Sequence, residues 1–90
     1  MGLIATKVRR DLSSSAYIEI WSVTMNGASS GTFQTGLLKI DFIGATNETS
    51  ATPVRAMPNS SNGTANSSNG YVYITDATTS DTISIKVEGI

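Results

Sequence analysis

Ninety residues make one domain and leave no room for a second core. There is no cysteine and no histidine, which excludes disulfides, most zinc sites, a thiol nucleophile and the commonest general base. The charged fraction is 14% and the formal net charge −1, which argues against strong non-specific adhesion to nucleic acid or acidic membranes. A chain this short buries only roughly 60–65% of its unfolded surface, so a lone copy should be modestly stable. With disulfides excluded and metals disfavoured, partner subunits are the remaining source of stability, and no cofactor is expected.

The start, Met1-Gly2-Leu3-Ile4-Ala5-Thr6, lacks the apolar core of a secretory signal. Gly2 with Thr6 fits the loose N-myristoylation pattern, which recurs often by chance. Nothing reaches the ~18 consecutive apolar residues of a membrane span, so the expected location is the cytoplasm, without membrane contact. Ile4, Val8 and Leu12 recur at i, i+4 and i+8, with Leu3 alongside, while Lys7, Arg9 and Arg10 fall off that stripe. The spacing predicts a short helix over about 3–12, ended by Ser13-Ser14-Ser15.

From Ala16 onward the period is two, and strands are predicted at about 16–25, 32–43, 52–58, 71–75 and 82–88. The last is the most regular, with Ile83, Ile85 and Val87 inward and Ser84, Lys86 and Glu88 outward. The apolar phase slips in the first two. Ile18 and Ile20 share one face, and Trp21, Val23 and Met25 the other. Phe33 and Leu37 are likewise out of phase with Leu38, Ile40 and Phe42. A regular strand cannot bury both sets against one core, so a bulge or sharp bend is expected in each, at Gly36 in the second. Two long bent strands predict a small, strongly curved, five-stranded barrel behind the short helix, an all-β fold whose strand pattern SH3-like barrels also satisfy. Asn26-Gly27 signals a hairpin turn. NSSNG occurs at 59–63 and again at 66–70, and the low-complexity stretch 59–70 reads as a long flexible loop. Pro53 and Pro58 bracket the third predicted strand and favour an edge position for it.

Little in the chain carries chemistry. Asp41 paired with Asp76 or Asp81 is the best carboxylate pairing, but aspartates at strand ends and turns ordinarily bond nearby backbone. No glycine-rich phosphate loop and no EF-hand spacing occurs. The N-x-Ser/Thr triplets at Asn47, Asn59, Asn62 and Asn66 follow from a composition rich in those residues. No catalytic residue and no metal site is therefore predicted; the chain reads as a non-enzyme. For nucleic acid the candidates are Lys7, Arg9, Arg10, Lys39, Arg55 and Lys86, with Tyr17, Tyr71 and Tyr73 as stacking rings. A solvated surface explains the same cations, and a subunit interface explains Tyr71 and Tyr73 equally well.

One short helix followed by five strands, with a bent second strand and a long loop between strands three and four, resembles the Sm-like fold of Sm, LSm and Hfq proteins. Gly36-Leu37-Leu38 supplies the family's G-x-L, while Asp41 and Asn47 each stand one position out of register with its acidic residue and asparagine. The family's hydrophobic-Arg-Gly motif is absent, because 76–81 (DATTSD) contains neither Arg nor Gly. The resemblance implies a homo-oligomeric ring joined by strand four of one subunit and strand five of the next. Tyr71, Tyr73, Ile85 and Val87 would then lie at the subunit interface. It also implies RNA or single-stranded DNA handled by the loops near Asn47 and around 76–81, with Lys7, Arg9, Arg10, Lys39 and Arg55 on the nucleic acid. The Ser/Thr/Asn/Gly-rich composition resembles that of small β proteins of phages, marine ones included. The expectation is a ring-forming, nucleic-acid-binding phage protein; the alternative is a virion structural or head-decoration protein with no nucleic-acid role.

Overall fold

The computed structural model of the chain describes residues 2–13, 15–51, 53–59, 70–75 and 77–90. They form β1 (Ile4–Ser13), β2 (Ala16–Thr24), β3 (Gly31–Gln34), β4 (Ile40–Asn47), β5 (Arg55–Asn59), β6 (Tyr71–Thr75) and β7 (Thr82–Gly89). All pairings are antiparallel, in a four-stranded sheet β1-β2-β7-β4 and a three-stranded sheet β3-β6-β5. Val23, Ile83, Ile85 and Val87 of the larger sheet pack with Phe33, Val72 and Ile74 of the smaller in one core. The chain crosses from β2 to β3 and returns from β6 to β7 beside it, and β4 and β5 then add next to β7 and β6. Double-sheet jelly rolls wind in the same general way, a likeness of path that carries no function with it.

Several expectations are corrected. Among the described residues there is no helix: the predicted helix 3–12 is strand β1, paired with β2 from Ile4↔Thr24 to Ser13↔Ala16. The i, i+4 spacing suggested one helical stripe, but the bulge after Lys7 puts Ile4, opposite Thr24, and Leu12, opposite Tyr17, on different faces of the strand, and none of the three apolar residues is buried. Ile4, Val8 and Leu12 are 56%, 59% and 65% exposed. Nor do the described strands close a barrel, since β1 and β4 end one sheet and β3 and β5 the other. Finally, the bent strand 32–43 is two strands in different sheets. The phase slip between Phe33 and Ile40 is the chain changing sheet through 35–39, with Gly36 at the crossing.

No slip occurs in β2, whose register with β7 runs unbroken from Tyr17↔Gly89 to Thr24↔Thr82. Val23 and Glu19 face the core and are fully buried, while Ile18 and Ile20 are half-buried on the outer face. The charged Glu19 on the inner face is what disguised the alternation. β5 is an edge strand and contains Pro58 opposite Val72, consistent with proline's place at sheet edges. The NSSNG-rich stretch falls almost wholly in 60–69, outside the described residues, as does Asp76.

Candidate functional site

β1 overhangs the sandwich. Apart from Ala5, its residues from Ile4 to Leu12 are exposed, so the inner face of the β1–β2 hairpin is partly open. Two-residue alternation should put Lys7 and Arg10, three apart, on opposite faces of a strand. A bulge between Lys7 and Arg9 leaves Val8 without a partner, so that Lys7 opposes Trp21 and Arg10 opposes Glu19. Both cations thus meet the same carboxylate.

Glu19 is fully buried at the centre of this arrangement. Its Oε1 accepts from Trp21 Nε1–H at 2.9 Å and from Gly36 N–H at 3.0 Å. Oε2 has no hydrogen bond and faces charge instead, with Arg10 Nε at 3.6 Å and Lys7 Nζ at 3.8 Å. A Cβ on residue 36 would run into Glu19 Oε2, so a side chain here would force the buried carboxylate to shift. One side chain therefore ties together the overhanging hairpin and the point where the chain changes sheet.

Aromatic rings line the same ledge. Arg10 Cζ lies 4.1 Å from the Tyr17 ring centroid and Lys7 Nζ 5.7 Å from that of Trp21, both within cation–π range. Behind Trp21 stands Phe33 of the other sheet, at 5.0 Å between centroids and 47° between planes. Glu19, Trp21 and Gly36 were not singled out as functional from the sequence. The available signal was the inward series Tyr17, Glu19, Trp21, Val23, which carries a carboxylate into the core.

The remaining predicted residues do not join this ledge. Arg9 opposes Ile20 on the outer face and pairs with Asp11 at 2.9 Å. Lys39 lies 3.6 Å from Asp41 before β4, Arg55 is on β5, and Lys86 is exposed on β7, 3.5 Å from Glu88. Asn47 closes a turn, its Oδ1 accepting from Thr49 and Ser50 N–H at 2.9 and 3.1 Å. Its Nδ2 donates to the buried Asp81 at 2.8 Å, which also accepts from Thr78 N–H at 2.9 Å. Asp41 stands at the start of β4, whereas Asp81 precedes β7 and is bonded to Asn47 at the far end of β4, so the two make no carboxylate pair. Ile85 and Val87 lie in the core, 1% and 0% exposed, and Tyr71 and Tyr73 are half-buried on the outer face of β6. Both β6 and β7 are central strands with neighbours on each side, which leaves neither an open edge for ring closure.

Comparison with family models, with curated proteins and with solved structures returned no match. The geometry alone must carry the function.

One more feature belongs to this end of the molecule. Leu12, Tyr17, Gly89 and Ile40 form one row across the four strands of the larger sheet. Ile90 and Lys39 exchange backbone bonds just beyond that row, and Leu38 N–H also donates to Ile90 O. The exposed apolar residues Leu12, Leu38 and Ile90 therefore gather with Tyr17 at one end, and Leu38 is 80% exposed. Exposed apolar side chains that concentrate at one end of a sheet make that end the candidate interaction surface. Among the described residues, no cluster of acidic side chains is arranged to hold a metal ion, and no helix is long and apolar enough to cross a membrane.

Proposed function

We propose that this chain is a non-catalytic assembly domain, a structural or decoration component of a larger particle such as a virion. The observation that carries the reading is the apolar end of the larger sheet, where Leu12, Tyr17, Leu38 and Ile90 face solvent beside the Lys7–Glu19–Arg10 cluster. Burying such side chains yields about 25 cal/mol per Å² of apolar surface, the main driving force of association. A small core gives an added reason for the domain to take stability from its neighbours. The test is sedimentation of the wild-type chain beside a Leu12→Ser, Leu38→Ser double variant. A larger species in the wild type that is reduced in the variant supports docking through this end. Monomers in both refute self-association through this end.

A second reading rests on the ledge itself. Arg10 over Tyr17, with Lys7 and Trp21 alongside, offers the pairing of cations and rings that single-stranded RNA or DNA uses. Glu19 already neutralises part of that charge, which weakens this reading relative to assembly. Filter binding in low salt followed by a salt titration decides it: affinity that falls steeply with salt supports nucleic-acid contact, and no binding at low salt removes it.

A further inference from the structure

We propose that two copies of this chain pair through the open edge of β4, extending the larger sheet into one continuous eight-stranded sheet across a two-fold axis. The inference rests on the reading of the chain as an assembling domain and adds a second surface, the edge of β4, with another copy of the chain as its occupant.

The two edges of the larger sheet differ in chemistry. β1 carries a bulge and the charges Lys7, Arg9, Arg10 and Asp11, devices that blunt an edge against further pairing. With its cations near the middle, antiparallel self-pairing of β1 would set cation against cation. β4 reads Ile-Asp-Phe-Ile-Gly-Ala-Thr-Asn, with one charge, at Asp41, and no proline. Among the described residues β4 pairs with β7 alone. Its exposure is unusual for an edge with so few charges: Phe42 is 53% exposed, and Ala45 and Thr46 are exposed as well.

The ladder also shows which amides are on offer. Glu48 N–H donates to Thr82 O, so residues in step with Glu48, namely Thr46, Gly44 and Phe42, bond towards β7. Alternation then directs the backbone of Ile43 and Ala45 to the edge that no described strand covers. A two-fold axis at Gly44 sets Ile43 of one copy opposite Ala45 of the other and uses both. Facing residues in such a pair share a sheet face, and this register keeps that parity. It places no like charges opposite one another.

Side-chain shape fits the same axis. Phe42 leans over its own Gly44, whose absent Cβ would stand 3.5 Å from the ring. Gly44, Thr46, Ser84, Lys86 and Ile20 border a shallow outer-face depression of about 300 Å³. In the proposed register Phe42 of one copy lies opposite Thr46 of the other, at the rim of that depression. The paired glycines leave room for both rings over the axis.

The experiment has two arms on the purified chain. Ala45→Lys puts a cation on an exposed position of the edge, where the monomer tolerates it, and should weaken self-association roughly tenfold or more because each interface receives two copies. In the wild type, hydrogen exchange at the Ile43 and Ala45 amides should slow as concentration rises, while circular dichroism of the variant stays unchanged. Association that survives Ala45→Lys with those amides still exchanging fast overturns the β4 interface and leaves the assembly reading standing. A wild type that is monomeric at every concentration overturns both.

Discussion

Replacing Glu19 should separate the hydrogen-bonding from the charge contribution of the buried cluster. In Glu19→Met the side chain keeps its length and loses its oxygens, which orphans Gly36 N–H and Trp21 Nε1–H. An unsatisfied buried donor costs ~1–3 kcal/mol, and Trp21 is only partly buried, so the two together should lose about 3 kcal/mol. Full hydrophobic replacement of a buried ion pair can be neutral, but here one partner is the Gly36 backbone N–H, which stays in place when Glu19 is replaced. Glu19→Gln keeps an acceptor for both donors and loses the charge facing Lys7 and Arg10. Those cations are 39% and 40% exposed at 3.8 and 3.6 Å. Pairs that open to solvent are worth roughly 0.2–1 kcal/mol each, so Glu19→Gln should cost about 1 kcal/mol. Urea denaturation measures both variants against a total stability of roughly 5–13 kcal/mol for a chain of this length. Glu19 does not act as this hydrogen-bonding centre if Glu19→Gln destabilises as much as Glu19→Met, or if Glu19→Met falls within about 0.5 kcal/mol of wild type.

Other substitutions probe neighbouring parts of the account. Gly36→Ala should cost about 2 kcal/mol or more by driving a methyl into the Glu19 carboxylate, and combined with Glu19→Met its cost should shrink, which denaturation of the double variant reads. Gly27, at φ +89° beside Asn26 at φ +50°, turns the chain out of β2, and Gly27→Ala should lower stability by ~1–2 kcal/mol in the same assay. Asp81→Ala removes the acceptor for Asn47 Nδ2–H and Thr78 N–H and should cost about 2–3 kcal/mol, seen as a fall in the urea midpoint without a change in slope. Arg10→Ala should leave the fold intact, with a loss near 1 kcal/mol, while any affinity for single-stranded DNA measured at low salt should drop with it.

Which parts of the fold were legible follows from where side chains obey a single rule. Ile83, Ile85 and Val87 alternate with polar residues, and β7 is where that alternation puts it. Val72 and Ile74 likewise mark β6. β1 was hidden because Ile4, Val8 and Leu12 match a helical stripe, whereas the strand exposes all three and its bulge is set by pairing with β2. The change of sheet between β3 and β4 registered as a phase slip at Gly36, but periodicity cannot distinguish a bent strand from two strands in separate sheets. The Glu19 centre was illegible for a related reason. A carboxylate on an inward face is expected only once Lys7, Arg10 and the Gly36 N–H are known to converge on it, and the bulge brings Arg10 to that face. Lys39, Arg55 and Asn47 are cations or loop polar groups in sequence, yet strand pairing sends them to separate places.

The claim that this domain works by assembly is tested most directly by its mass in solution, measured by light scattering after size exclusion over a range of concentrations. The account predicts a species of at least twice the 9.4 kDa chain that grows in share with concentration. A mass that stays at 9.4 kDa throughout would contradict self-assembly of the chain.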